Sequence, residues 1–75
     1  MARARVVVHN RIRALRFERA EMTQQELADR VGVSRQTINA IEGGKYSPTL
    51  EAAFLIAMSL GKRLDEVFEC VVVKR

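Results

Sequence analysis

Residues 23–44, TQQELADRVGVSRQTINAIEGG, decide the fold. Thr23 and Glu26 form a T-x-x-E capping box, in which hydroxyl and carboxylate each satisfy a backbone N–H at a helix start. Met22 and Leu27 stand at the hydrophobic-staple positions around it. The helix opened there is predicted to end at Val31, because Gly32 can take the left-handed conformation that follows a helix. Only Val33 then intervenes before Ser34, a second N-cap residue, and Val33 and Ile38 repeat the staple. The next helix turns Ile38 and Ile41 inward and ends at Gly43-Gly44.

Two short helices joined by a glycine-containing turn, the second with a polar outer face, describe a helix-turn-helix. Its physical demands are met one by one. Close crossing needs a small inner residue, supplied by Ala28, and the turn needs positive φ, supplied by Gly32. Val33, Ile38 and Ile41 anchor the second helix from behind. Its front carries Arg35, Gln36 and Asn39, with Thr37 at the edge. These types can read base edges: arginine fits the two acceptors of guanine, and glutamine or asparagine the donor-acceptor pair of adenine. Gln24 and Gln25 offer backbone N–H groups for a phosphate at the start of the first helix of the pair. Lys45 and Tyr46, just past the recognition helix, are placed to clamp the backbone on the far side.

Outward from this centre the pattern stays helical. Asn10 is the candidate cap of a first helix whose apolar face holds Ile12, Leu15 and Phe17 or Met22. Lys45 to Pro48 reads as a loop, and Pro48-Thr49 opens a fourth helix with Leu50, Ala53, Phe54, Ala57 and Leu60 at helical spacing, ended by Gly61. Met22, Met58 and the phenylalanines are expected in the core. A short fifth helix is expected over about Leu64 to Phe68, with Asp65 and Glu66 where the helix dipole favours acids. The valine-rich ends, Ala4–Val8 and Cys70–Val73, read as strands that need partners, either each other or copies in a second subunit. The expectation is one domain over residues 1–75, with a core from 10 to 68 and terminal strands at about 4–8 and 70–73.

Composition narrows the function. Seventy-five residues suit one domain, and with one cysteine, Cys70, neither an intrachain disulfide nor a zinc cluster can form. That fits a reducing, cytoplasmic setting. No apolar run approaches the ~20 residues of a membrane span, and Val6-Val7-Val8 is too short for a signal-peptide core, so the mature chain is expected to begin near Met1. The net charge is +4, and Arg3, Arg5, Arg11, Arg13, Arg16 and Arg19 precede residue 20 against one acid, Glu18. A basic end on a small domain suits a polyanion partner, though a merely solvated face reads the same way on charge alone. No catalytic grouping, phosphate-cradling glycine loop or metal-ligand spacing is present, so no enzyme, metal or cofactor is expected. His9 reads as a surface or strand residue and Cys70 as a small buried hydrophobe.

The stretch TQQELADRVGVSRQTINAIEGGKYSPTLEAAFLIAMSLG resembles the lambda repressor-like (Cro/repressor, XRE-type) helix-turn-helix family, through T-Q-x-E-L-A, G-V-S-R-x-T-I, I-E-x-G-K and P-x-L. The resemblance covers roughly residues 10–68. It implies an all-α five-helix bundle, here with short terminal strands, binding double-stranded operator DNA as a two-fold dimer. It further implies DNA contact at Gln24, DNA-facing positions at Arg35, Gln36, Thr37 and Asn39, and a structural ion pair between Arg16 and Glu42. The sequence departs from the pattern in a first-to-second-helix connection, Ala20-Glu21-Met22, one residue longer than usual. It departs again in Lys62-Arg63 where a small polar cap usually precedes the fifth helix. The valine-rich ends lie outside the pattern and are read as a homodimerisation device. The function expected is transcription regulation, as a repressor. The rivals are a protein-interaction module, such as an antitoxin neutralising a partner, and a restriction-modification controller.

Overall fold

Both predicted caps close as hydrogen bonds in the structure, a computed structural model that describes residues 5–73. Five helices run α1 (Ile12–Glu18), α2 (Gln24–Val31), α3 (Arg35–Glu42), α4 (Leu50–Leu60) and α5 (Leu64–Val67), flanked by strands β1 (Arg5–Asn10) and β2 (Phe68–Val73). At α2, Glu26 N–H donates to Thr23 Oγ1 at 3.0 Å and Thr23 N–H donates to Glu26 Oε1 at 2.8 Å. The Thr23 backbone N–H, and after it the Thr23 hydroxyl, depress the Glu26 carboxyl pKa. At α3, Ser34 Oγ accepts from Thr37 N–H at 3.1 Å. Gly32 ends α2 at φ 85°, where any Cβ would be strained.

The core collects one stripe from each helix: Ile12 and Leu15, Leu27 and Ala28, Ile38 and Ile41, Ile56, Ala57 and Leu60, and Val67, with Met22 sealing the α1–α2 connection. Each fully buried aliphatic side chain contributes about 1.5–3 kcal/mol. In α4 the structure buries Ala53, Ala57 and Leu60 as expected, adds Ile56, and corrects Leu50 and Phe54. Leu50, Phe54, Leu55 and Met58 face outward, Met58 keeping 71 % of its surface. Phe17 is likewise exposed, at 54 %, and Phe68 is only half-buried, so of Met22, Met58 and the phenylalanines expected in the core only Met22 is fully there.

The all-α expectation describes the body, and a two-stranded antiparallel sheet is added to it. β1 and β2 pair within the chain, Val6 opposite Val72, Val7 opposite Val71 and Val8 opposite Cys70. Both strands run further inward than expected, to Asn10 and from Phe68; Ala4, at the expected start of the first, lies outside the described residues. The ladder is continued at its foot by Arg11 N–H donating to Val67 O at 2.9 Å, because α5 ends beside the start of α1. Asn10 therefore closes a strand, and Arg11 is the formal N-cap. Asn10 still serves α1: its Oδ1 accepts from Ile12 N–H at 3.1 Å, while its Nδ2 donates to Ile41 O at 2.9 Å. One side chain thus ties ribbon, α1 and the end of α3 together. Principal extents of 45 × 21 × 19 Å are those of a small helical body with a projecting ribbon.

α5 stops at Val67, one residue before the expected end, because Phe68 is extended. Arginine has no acceptor to cap with. The helix start is held instead from the other side, by Glu66 Oε1 accepting from Arg63 N–H at 2.7 Å. Cys70 is exposed on the ribbon, not buried.

Candidate nucleic-acid interface

The α1–α2 connection turns through two residues in the left-handed region, Ala20 and Glu21, both at φ 54°. Left-handed backbone costs a non-glycine residue roughly 1–2 kcal/mol, so something must hold it. Met22 N–H donates to Arg16 O at 2.9 Å, and Arg16 Nη1 donates back to Met22 O at 2.7 Å. The rest of the buried Arg16 guanidinium grips Glu42 at the end of α3, Nε to Oε2 at 2.6 Å and Nη2 to Oε1 at 3.1 Å. Two charges removed from water hold their place only through such matched bonds. The pair thereby fixes α1, the α1–α2 turn and the end of α3 in one frame.

α3 rests on that frame with Ile38 and Ile41 buried beneath it and Arg35, Gln36 and Asn39 exposed. Thr37 is half-buried, and its hydroxyl lies 2.9 Å from Ser34 Oγ, so it belongs as much to the cap as to the front. Gln25 lays its side chain along its own helix, Nε2 donating to Asp29 Oδ1 at 2.8 Å. Gln24 reaches across to α3, Nε2 lying 3.1 Å from Asn39 Oδ1 and 3.2 Å from Glu42 Oε1. A helix leaves its first backbone N–H groups without intrahelical partners. At α2 the capping box uses those of Thr23 and Glu26, leaving Gln24 N–H and Gln25 N–H for an anion.

Between α1, the start of α2 and the end of α3 runs a groove of about 560 Å³. Gln24, Asn39 and Lys45 line it, together with Arg13 and Phe17, which sequence reasoning did not place at the site. Arg13 and Arg16 approach the Phe17 ring at 5.8 and 5.5 Å from its centroid. Such cation–π contacts hold a guanidinium in place without neutralising it. The one available signal was the i, i+4 spacing of Arg13 and Phe17, which periodicity alone also allows on a core helix. Among the described residues the ion pairs are Arg16–Glu42 and Arg63–Asp65, so Arg13, Arg35 and Lys45 present unpaired charge. Lys45 is directed by Gly44 (φ 74°), its N–H donating to Ala40 O at 2.9 Å. Tyr46 is not brought to this groove; it lines a small cleft with Asn10, Ile41 and Pro48 at the ribbon's foot.

Among the described residues no cluster of His, Cys, Asp and Glu comes together as a metal site, and no helix is long and apolar enough to cross a membrane. A rear-anchored helix with a polar front, preceded by a helix start with free N–H groups and bordered by unpaired cations, defines a DNA-binding helix-turn-helix protein. The chain belongs to the lambda repressor-like helix-turn-helix family, which matches it over residues 12–67. It is 50 % identical over 56 residues to an uncharacterised helix-turn-helix transcriptional regulator of Methanocaldococcus jannaschii, covering 72 % of this chain and 85 % of that one. A similar regulator of Bacillus subtilis is 39 % identical over 59 residues, 79 % of this chain and 88 % of the relative. The immunity repressor protein of Bacillus phage phi105 is 34 % identical over 62 residues, 83 % of this chain but 42 % of the repressor.

Proposed function

We propose that this protein is a homodimeric repressor that binds a short palindromic operator and acts in the cytoplasm. The observation that carries the reading is the exposed first turn of α3, with Arg35 and Gln36 free in front and Ile38 and Ile41 buried behind. A recognition helix meets base edges with its N-terminal residues. Arg35 and Gln36 read bases, Thr37 and Asn39 assist, and the N–H groups of Gln24 and Gln25 hold a phosphate. Lys45 and Arg13 hold phosphates across the groove, and Tyr46 a further one nearer the ribbon. The phage relative's name supports repression as the sense of regulation.

The dimer is assigned to the ribbon. Val6, Val7, Val8, Val71, Val72 and Val73 each keep between 37 % and 57 % of their surface, on both ribbon faces. A lone two-stranded ribbon is marginal in water, and an apolar patch this continuous on a small monomer marks an interaction surface. Beside its foot, Val8 and Phe68 continue into a groove with Leu50, Ala53 and Leu64, a seat for the second copy's ribbon. Two copies related by a two-fold axis would set their α3 helices into successive major grooves, ~34 Å apart.

The test is selection from a randomised duplex library at fixed physiological salt, with sedimentation of the free protein alongside. An enriched palindrome and a dimer are expected. Binding to every duplex alike would overturn operator recognition. A monomer whose ribbon captures another protein would favour the antitoxin-like alternative.

A further inference from the structure

An asparagine reads adenine bidentately only if its oxygen and nitrogen turn together onto the base edge. Which end of the Asn39 amide faces outward is settled by a chain of hydrogen bonds that begins in the core. Arg16 is buried and donates from two nitrogens to Glu42, whose two carboxylate oxygens act as acceptors. The Gln24 amide atom 3.2 Å from Glu42 Oε1 must then be nitrogen. That same nitrogen lies 3.1 Å from the Asn39 amide, so the Asn39 atom facing it must accept, and is oxygen. Each orientation is imposed by the one before it, from an ion pair inside the protein to a side chain on its surface. Asn39 is left with Oδ1 turned onto α2 and its two Nδ2–H donors free.

We infer that Asn39 reads DNA as a donor only, selecting guanine, and that Gln24 is the positioning residue that makes it so. Guanine offers two acceptors, N7 and O6, on its major-groove edge, whereas adenine sets a donor amino group beside its one acceptor. A side chain whose oxygen is turned onto α2 does not set it against that amino group while the bond to Gln24 holds. The inference rests on the operator reading above and adds to it a base at one position of each half-site and the residue that dictates the choice.

The experiment compares wild type, Asn39→Ala and Gln24→Met in the library selection, followed by titration of the selected operator carrying guanine or adenine at the Asn39-dependent position. Methionine keeps the length of Gln24 and the backbone N–H at its position but frees the Asn39 amide to rotate. Far-UV circular dichroism of each variant checks that the helices persist. Wild type is expected to favour guanine over adenine there by about tenfold. Asn39→Ala should erase the preference, and Gln24→Met should bring the two bases within about threefold while the Arg35-dependent position stays unchanged. Adenine preferred by wild type, uniform weakening of all sequences by Asn39→Ala (a phosphate contact), or an intact guanine preference in Gln24→Met would each overturn the inference. These outcomes leave the operator reading standing. A wild type that enriches no sequence overturns both.

Discussion

The helix-turn-helix and the valine ribbon sit on the same core and handle their surfaces in opposite ways. On the front of α2 and α3, side-chain polar groups bond one another across and along the helices: Gln24 to Asn39 and Glu42, Gln25 to Asp29, Thr37 to Ser34. What remains free there is a chosen subset: Arg35, Gln36, the Asn39 Nδ2–H donors, two backbone N–H groups and the cations of Arg13 and Lys45. On the ribbon the backbone is paired and the side chains are not covered. A surface whose groups are mutually oriented is prepared to discriminate among ligands, because little has to be ordered on binding. A surface of bare valines offers area without direction, which suits association of a fixed partner more than selection among sequences.

The contrast can be broken most severely at the frame under the front. Glu42→Ala would leave Arg16 buried without its counter-charge and release Gln24, so stability should fall by about 3–5 kcal/mol in urea unfolding. A loss under 1 kcal/mol would mean that the pair does not hold the frame. Next in size, replacing Val6, Val7, Val71 and Val72 by Thr keeps β-branched strand formers while removing apolar area. Dimer dissociation should rise at least about 100-fold, or ~2.8 kcal/mol, by analytical ultracentrifugation, with helical signal retained. An unweakened dimer would move the interface to the exposed side of α4. The two kinds of DNA contact should then separate. Arg35→Ala is expected to cost about 1–3 kcal/mol of operator binding and relax one base position, whereas Lys45→Ala weakens all sequences alike and lowers the salt slope by about one. Equal losses for Arg35→Ala on operator and random DNA would remove its base-reading role.

The smallest effect is a pH dependence. The folded-state carboxyl of Glu26 titrates below its unfolded value because Thr23 N–H and hydroxyl favour the charged form. Its contribution is therefore complete above the unfolded pKa and is lost as pH falls through the lowered folded one. Glu26→Gln can still accept from Thr23 N–H, so it should flatten this acid limb in thermal melts while leaving neutral stability nearly unchanged. An identical acid limb in the variant would assign the dependence to another carboxylate.

How far the fold and the interface could be read in advance varied with the range of the interactions involved. α4 shows the limit. Apart from Glu51 and Ser59 its residues are apolar, so its hydrophobic spacing has no unique phase, and Leu50 and Phe54 fit the spacing of Ala53, Ala57 and Leu60 as well as the buried Ile56 does. Phe17 misled for a related reason: an aromatic at helical spacing looks like core until the neighbouring helix proves not to cover it. Arg13 joined the site only because α1 runs beside the groove mouth, a fact of packing.

Sequence by itself determined the elements whose physics is local. The Thr23 capping box, the Ser34 cap, the left-handed Gly32 and the inward Ile38 and Ile41 depend on residues a few positions apart, so their spacing carries the whole interaction. Tertiary structure alone decided that the terminal strands pair with each other, because their partners are over 50 residues apart in the chain and become neighbours only when α5 ends beside α1. It alone decided that Arg16 meets Glu42 across the α1–α2 turn, which passes through two left-handed residues. And it alone turned the Asn39 oxygen onto Gln24, since an amide has no preferred end until a neighbour of known polarity stands beside it.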